Sequence, residues 1–194
     1  MKKAISKAKN SPKFREAFLA GFGRSTMNTT PGDAMLLRVL IESSRARRGI
    51  EIGVFSGFGA ANMAIGFERT GGRLYSLEID PRRAQRARAN LERAGLAKTV
   101  TVLTGDALGL IPTLKGTFDF VFIDAAKKDY LRYLQAVEPK LKRGALVVAD
   151  NVIVCAGDMP DFLRYIKTSP DYDTVILRAS MEKGDGLSVS YKIR

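Results

Sequence analysis

An α/β fold is predicted for this 194-residue chain, with a mostly parallel, doubly wound sheet of seven strands and helices on both faces. Three observations lead there. From residue 49 onward short β-rich runs alternate with helical patterns, the alternation that parallel strands and their crossover helices produce. One of those helices carries its own start and stop signals. The last two β-rich runs lie only six residues apart, too few for a parallel crossover, so that pair must be antiparallel.

Residues 1–46 read as a helical preface, in which Ile5, Phe14, Phe18 and Phe22 recur at helix-like spacing and a second helix begins near Pro31. The run "GIEIGV" (49–54) is the first strand and leads into a helix over 58–69. "RLYSLEI" (73–79) leads into a helix from Asp80-Pro81 to Gly95. Aspartate there is a cap, proline occupies the first helical position and glycine is the stop. "TVTVLTG" (99–105) precedes a short helix near 107–114, and "FDFVFID" (118–124) precedes one over 128–141. "GALVVADN" (144–151) is followed by a helix near 159–167. "DTVILRA" (173–179) and "GLSVSYKI" (186–193) close the chain as a strand pair through the turn "EKGD". The expected organisation is one domain over 1–194, with the core beginning at residue 47.

Composition narrows the chemistry. Apolar residues at 45% and charged residues at 27% fit a soluble globular protein,. No run approaches the roughly 18–20 apolar residues a bilayer crossing needs, and the lysine-bearing start "MKKAISKAKNSPKF" lacks a signal peptide's apolar segment,. A cytoplasmic location without membrane attachment is expected, and the single Cys155 agrees, since no internal disulfide can form,. Histidine is absent altogether. That excludes Ser-His-Asp and Cys-His nucleophiles and histidine-based zinc sites. Any metal must be held by oxygen, which suits hard cations. The net charge of +12 is clustered: residues 1–25 carry seven Lys/Arg against one Glu, and residues 81–98 carry six against one. Such clusters are solvated helix faces or surfaces for a polyanion.

The stretch "EIGVFSGFGAANMA" (51–64) combines a strand, a glycine-rich turn and a helix, with Gly53, Gly57 and Gly59 allowing tight turning and close approach to a ligand,. Asn62 stands where a dinucleotide fingerprint has its last glycine, and no phosphate-loop lysine follows,. Glu51 opens the motif instead. A carboxylate there repels a pyrophosphate but suits a ligand carrying an amino group and a sulfonium. Glu78 ends the second strand, 25 residues after Gly53, where an acid can accept hydrogen bonds from ribose hydroxyls,. Asp106 follows the third strand and could contact an adenine edge. "FVFIDAAKKDY" (120–130) then ends a buried strand on Asp124 with Lys127 close behind, and Asp150-Asn151 ends the fifth strand. Aspartate also caps helices in ordinary strand-to-helix turns. Two carboxylates and an amide at one sheet edge nevertheless make a set of hard oxygen donors, and a divalent ion would offset their mutual repulsion.

The order "EIGVFSGFG", "LEID", "GDA", "FVFIDAAKKDY", "VVADNV" resembles the class I S-adenosylmethionine (SAM) methyltransferases, over about residues 27–193. Within them it is similar to the metal-dependent O-methyltransferases related to catechol and caffeoyl-CoA O-methyltransferases. The resemblance implies a Rossmann-like seven-stranded sheet with its last strand antiparallel. It implies SAM held by Thr29, Glu51, Gly53, Phe55, Gly59, Glu78, Asp106 and Asp124, with Asn28 beside them. It implies a divalent cation (Mg²⁺, or alternatively Mn²⁺ or Ca²⁺) on Asp124, Asp150 and Asn151. Lys127 matches the catalytic lysine; beside a cation its pKa should fall, making it a base for an acceptor hydroxyl.

The acceptor implied is a small phenolic or catechol-like molecule, and the assembly implied is a homodimer. The pattern also departs from the catechol enzyme. Ala125-Ala126 replaces bulky aromatics and tryptophan is absent; the acid that would steer a second hydroxyl falls near Ala179, with Glu182 close but offset. The family also includes enzymes that methylate a hydroxylated uridine in tRNA, an acceptor the net charge would suit. A SAM-binding protein without turnover is the third reading.

Overall fold

The computed structural model describes residues 12–22, 27–180 and 183–194. Ile5, the lysines around it and Glu182 lie outside the described residues. Two helices form the preface, α1 (Pro12–Phe22) and α2 (Pro31–Ser43), and α2 starts at Thr30, whose hydroxyl accepts from the Asp33 N–H,. After them come β1 (Arg48–Ile52), α3 (Phe58–Thr70), β2 (Arg73–Glu78), α4 (Pro81–Arg93), β3 (Val100–Thr104) and α5 (Ala107–Thr113). The second half holds β4 (Phe118–Ile123), α6 (Tyr130–Val137), β5 (Leu141–Ala149), α7 (Pro160–Thr168), β6 (Tyr172–Ser180) and β7 (Asp185–Lys192).

The seven strands make one sheet in the order β3-β2-β1-β4-β5-β7-β6. Strands β1 to β5 pair in parallel, while β7 is antiparallel to both β5 and β6. The Rossmann-like expectation, antiparallel last strand included, is met. Period-two alternation over residues 120–123 divides β4 between two cores, and the irregularity between Phe118 and Phe120 puts Phe118 on the face opposite Phe120,. Phe120 and Phe122 pack with α2, α3 and α4 on one face. Phe118, Val121 and Ile123 pack with α5, α6 and α7 on the other. Asp80 caps α4 as its sequence announces, accepting from the N–H groups of Arg82 and Arg83 at 2.7 and 3.1 Å. Among the described residues no helix is long and apolar enough to cross a membrane.

Two boundaries differ from the sequence expectation. The helix expected over 128–141 is divided: a 3₁₀ turn at Lys127–Asp129, then α6, then a second 3₁₀ turn at Glu138–Lys140. Pro139 lies in that second turn, where its missing N–H and fixed ring stop an α-helix from continuing. Strand β5 begins at Leu141 rather than 144, because Gly144 (φ +85°) sits within it at a bulge. The pairing there steps from Phe118–Leu141 to Phe120–Leu146,.

Candidate active site

The sheet order turns between β1 and β4, and in open α/β sheets such a turn leaves a crevice at the carboxyl ends of the strands. A cleft of about 840 Å³ opens there. Every residue assigned from the sequence to the cofactor, the cation or catalysis reaches its wall. Asn28 and Thr29 come from the preface, and Glu51, Gly53, Phe55, Gly59, Glu78 and Asp106 from β1 to β3 and their following turns. Asp124, Lys127, Asp150 and Asn151 come from the ends of β4 and β5.

The turn after β1 requires unusual backbone. Gly53, Phe55 and Gly57 have φ of +92°, +51° and +86°. A Cβ built on Gly53 would land on the Asp124 carbonyl oxygen, so only glycine allows β1 and β4 to leave the sheet this close together. Gly53→Ala is expected to destabilise the chain by about 2–4 kcal/mol, from overpacking together with a left-handed backbone. Denaturant unfolding would check this, and a loss under about 0.5 kcal/mol, the range of a neutral surface change, would contradict it. Glu78 holds the same turn from the other side. Its Oε2 accepts from the N–H groups of Val54 (3.1 Å) and Phe55 (2.9 Å), and its Oε1 from that of Asp80 (3.1 Å). The acid read as a ribose acceptor therefore also anchors the loop, and Oε1 keeps the freer lone pairs. Asp106 likewise has two positions at once: it caps α5 through the Leu108 N–H (3.2 Å) and faces the cleft.

Glu51 is almost completely buried, and the Ser76 hydroxyl donates to its Oε2 at 2.6 Å. Gly59 makes room beside it, since a Cβ there would lie 3.1 Å from Glu51 Oε1 and 3.2 Å from Thr29 Oγ1. Burial pushes the Glu51 carboxyl up from 4.5 to about 8; the Ser76 hydrogen bond opposes this and the charges of Asp124 and Glu78 add to it. Such a group favours a bound positive charge.

The raised pKa also sets a pH dependence. Between the ordinary carboxylate range and about 8, the folded chain keeps a proton that the unfolded chain has lost. Stability of the ligand-free chain should therefore fall as pH rises through that window, by up to about 1.4 kcal/mol per pH unit. Glu51→Gln should flatten this slope and stabilise the ligand-free chain at pH 8. Urea unfolding at pH 5 and pH 8 reads it, and an unchanged slope would contradict the assignment.

The far wall is a connected polar set. Lys127, on its 3₁₀ turn, donates from Nζ to Asp124 Oδ1 (3.0 Å) and to the Tyr130 hydroxyl (2.7 Å). The Tyr130 hydroxyl in turn donates to the Asp150 carbonyl oxygen at 3.2 Å. Burial first, then the charges of Asp124 and Asp150, push the Tyr130 phenol well above its usual range. It therefore stays protonated and neutral. Asp150 is buried, and burial with the neighbouring Asp124 charge raises its carboxyl to about 7.

Asn151 has φ +59°, a conformation asparagine tolerates better than most residues,. Its Nδ2 donates to Asp185 Oδ2 at 2.9 Å. Asp185 Oδ1 accepts from the N–H groups of Ile153, Val154 and Gly186 at 3.1, 3.1 and 2.8 Å. Burial raises the Asp185 carboxyl, but these donors outweigh it and hold the group below the ordinary carboxylate range. Tyr130 and Asp185 are absent from the sequence-derived candidates. The first has a local signal, a tyrosine three residues after Lys127 on a turn. The second has none, since 34 residues separate it from Asn151.

Among the described residues no three of Asp, Glu, Cys and His converge as a metal-binding group. This corner offers two carboxylates and one amide oxygen. The donor chemistry fits a hard divalent cation, which would relieve the crowding of negative charge that raises Asp150,.

Residues 12–160 match the family model described as O-methyltransferase. A catechol O-methyltransferase from Mycobacterium tuberculosis is 40% identical over 147 residues, covering 75% of this chain and 63% of that relative. The chain thus spans less than two thirds of the length of the first curated relatives it matches. An O-methyltransferase from Bacillus cereus, solved in complex with SAH, superposes with a TM-score of 0.82 at 26% identity, covering 97% of both chains. An O-methyltransferase from Streptomyces achromogenes, solved in complex with SAM, gives 0.79 at 26% identity over 94% of this chain and 89% of that one. With the sheet order, the cleft at its turn and the matched span of sequence in agreement, this chain belongs to the O-methyltransferase family.

Proposed function

We propose that this chain is a SAM-dependent O-methyltransferase that methylates a hydroxyl of a small catechol-like molecule, working as one unit. The observation that carries the reading is the facing of two half-sites across one cleft. One half, Glu51, Gly53, Phe55, Gly59, Glu78 and Asp106 with Asn28 and Thr29, has the carboxylates and open backbone that an adenosyl ligand with a cationic tail needs. The other, Asp124, Asp150 and Asn151 beside Lys127, has hard oxygen donors next to a base. The solved relatives bound to SAM and SAH support the first half, and the catechol-methylating relative supports the acceptor class.

In this reading Glu78 holds the ribose hydroxyls and Asp106 lies near the adenine. Glu51 balances the positive end of the ligand, whose sulfonium supplies a methyl group for in-line transfer. Asp124, Asp150 and Asn151 would hold a divalent cation, and the chemistry it would supply is Lewis acidity, lowering the pKa of an acceptor hydroxyl beside it. In its neutral amine form Lys127 takes the proton from that hydroxyl on Nζ and becomes the ammonium, and the Tyr130 hydroxyl and Asp124 fix where Nζ waits. Holding both reactants in attack geometry can contribute about 7–11 kcal/mol.

The direct test is S-adenosylhomocysteine release from SAM with caffeic acid, run with Mg²⁺ and with EDTA. Release that requires the metal is expected. Release indifferent to EDTA would overturn the metal assignment while leaving the methyltransferase reading intact. Bound SAM with no diphenol turnover, but release with hydroxylated tRNA, would overturn the small-molecule acceptor.

A further inference from the structure

Asp185 sits outside the proposed set of metal donors, yet it has a close geometric hold on one of them. It begins β7, and the antiparallel pairing of β7 with β5, with Ser188 opposite Ala149, brings it under the turn that follows β5. Its two oxygens are fully assigned. Oδ1 takes the N–H groups of Ile153, Val154 and Gly186, and Oδ2 takes Asn151 Nδ2. Gly186 lets β7 come this close, since a Cβ there would collide with the Leu177 carbonyl and the Ile153 side chain.

An ionised carboxylate can only accept hydrogen bonds, whereas an asparagine side chain has one donating and one accepting end. The end of Asn151 that faces Asp185 must therefore be its NH₂, and Oδ1 is the end left for the cleft. If that amide turned over, an NH₂ group would face the cleft, and it cannot ligate a cation.

We propose that Asp185 is a positioning residue that sets the polarity of the Asn151 amide, so that an oxygen rather than an NH₂ group faces the cation site. The inference rests on the reading of Asp124, Asp150 and Asn151 as the cation's ligands. Outer groups of this kind are worth 10–100-fold in metal affinity.

The substitution that isolates the effect is Asp185→Asn. It keeps an oxygen for the three backbone N–H groups but presents an NH₂ to Asn151, which must then turn its own NH₂ to the cleft. Mn²⁺ binding followed by electron paramagnetic resonance should weaken 10–100-fold in this variant, with SAM affinity and thermal stability changed far less. The double variant Asp185→Asn/Asn151→Asp exchanges the two groups. Its new carboxylate accepts from the NH₂ at 185 and again offers oxygen to the cleft, so Mn²⁺ affinity should return to within a few-fold of the natural chain.

A folded Asp185→Asn variant with unchanged Mn²⁺ affinity would overturn the proposal, as would a folded double variant without recovery. A natural chain that binds no Mn²⁺ would overturn the metal reading itself, which separates the two failures. If neither variant folds, the natural chain still decides. Its Asn151 side-chain amide protons should exchange slowly with solvent, with and without Mg²⁺, and fast exchange would overturn the proposal.

Discussion

Replacing Asp150 with asparagine is expected to reduce methyl transfer by about 10³-fold or more while raising the stability of the ligand-free chain at pH 8. The two effects have one origin. Asp150 is buried next to Asp124, and its carboxyl is raised to about 7. Above that pH the folded chain holds a charge it would rather not have, so stability is lost as pH climbs from the ordinary carboxylate range through about 7,. Asparagine removes that penalty, and its side-chain oxygen can still accept from the Asn151 N–H, which lies 2.7 Å from Asp150 Oδ1 in the natural chain.

The same charge is what a divalent cation would use. Lewis-acid stabilisation amounts to several kcal/mol, and each 1.36 kcal/mol is a factor of ten in rate. Melting curves with EDTA and with Mg²⁺ read both parts. The natural chain should gain stability with Mg²⁺ and the variant should not. A variant that retains turnover within tenfold would contradict the role given to Asp150.

Lys127→Met carries the second large effect, a loss of about 10²–10⁴-fold in turnover, the usual range for a general base. Methionine keeps the length of the stem and removes the charge. The ion pair to Asp124 (3.0 Å) and the donation to Tyr130 (2.7 Å) go with it. With the competing ammonium gone, Asp124 is freer to meet a cation, so Mg²⁺ affinity should hold or rise even as turnover collapses. The residual rate should climb with pH, because an acceptor ionised in solution needs no base. Turnover as fast as the natural chain at pH 7 would remove Lys127 from the reaction.

Tyr130→Phe is a milder companion: it removes the 2.7 Å hydrogen bond from Lys127 but keeps the ring under Nζ and the ion pair to Asp124. A fall of about tenfold in turnover is expected, with the metal-induced gain in stability intact. Loss of that gain would instead mean that Tyr130 acts by holding the Asp150 backbone.

Strand alternation and the acids after each strand were legible in the sequence because both are local. β4 announces itself as an apolar run ending on Asp124, and "LEID" followed by proline signals both the end of β2 and the start of α4. Asp106 shows where local reading stops: cap and cleft residue share one signature, and the side chain has both positions. The division of the helix around α6 was missed because period-based reading runs through Pro139, although the ring does not.

Asp185 was out of reach for a different reason. The short connection between β6 and β7 predicts that they pair, but not that β7 inserts between β6 and β5. Only that insertion brings residue 185 to residue 151. Contacts of this kind depend on the order of strands in space, which no window of sequence carries.

The direction of β7 has a practical consequence. It starts at the cleft with Asp185 and runs away from it, opposite to β5. Whatever is joined after Arg194, whether an affinity tag, a fluorescent reporter or a tether to a solid support, therefore leaves from the edge of the sheet remote from the cleft mouth. Anchored that way, a bead-bound preparation should turn over dissolved acceptor as fast as the free protein does.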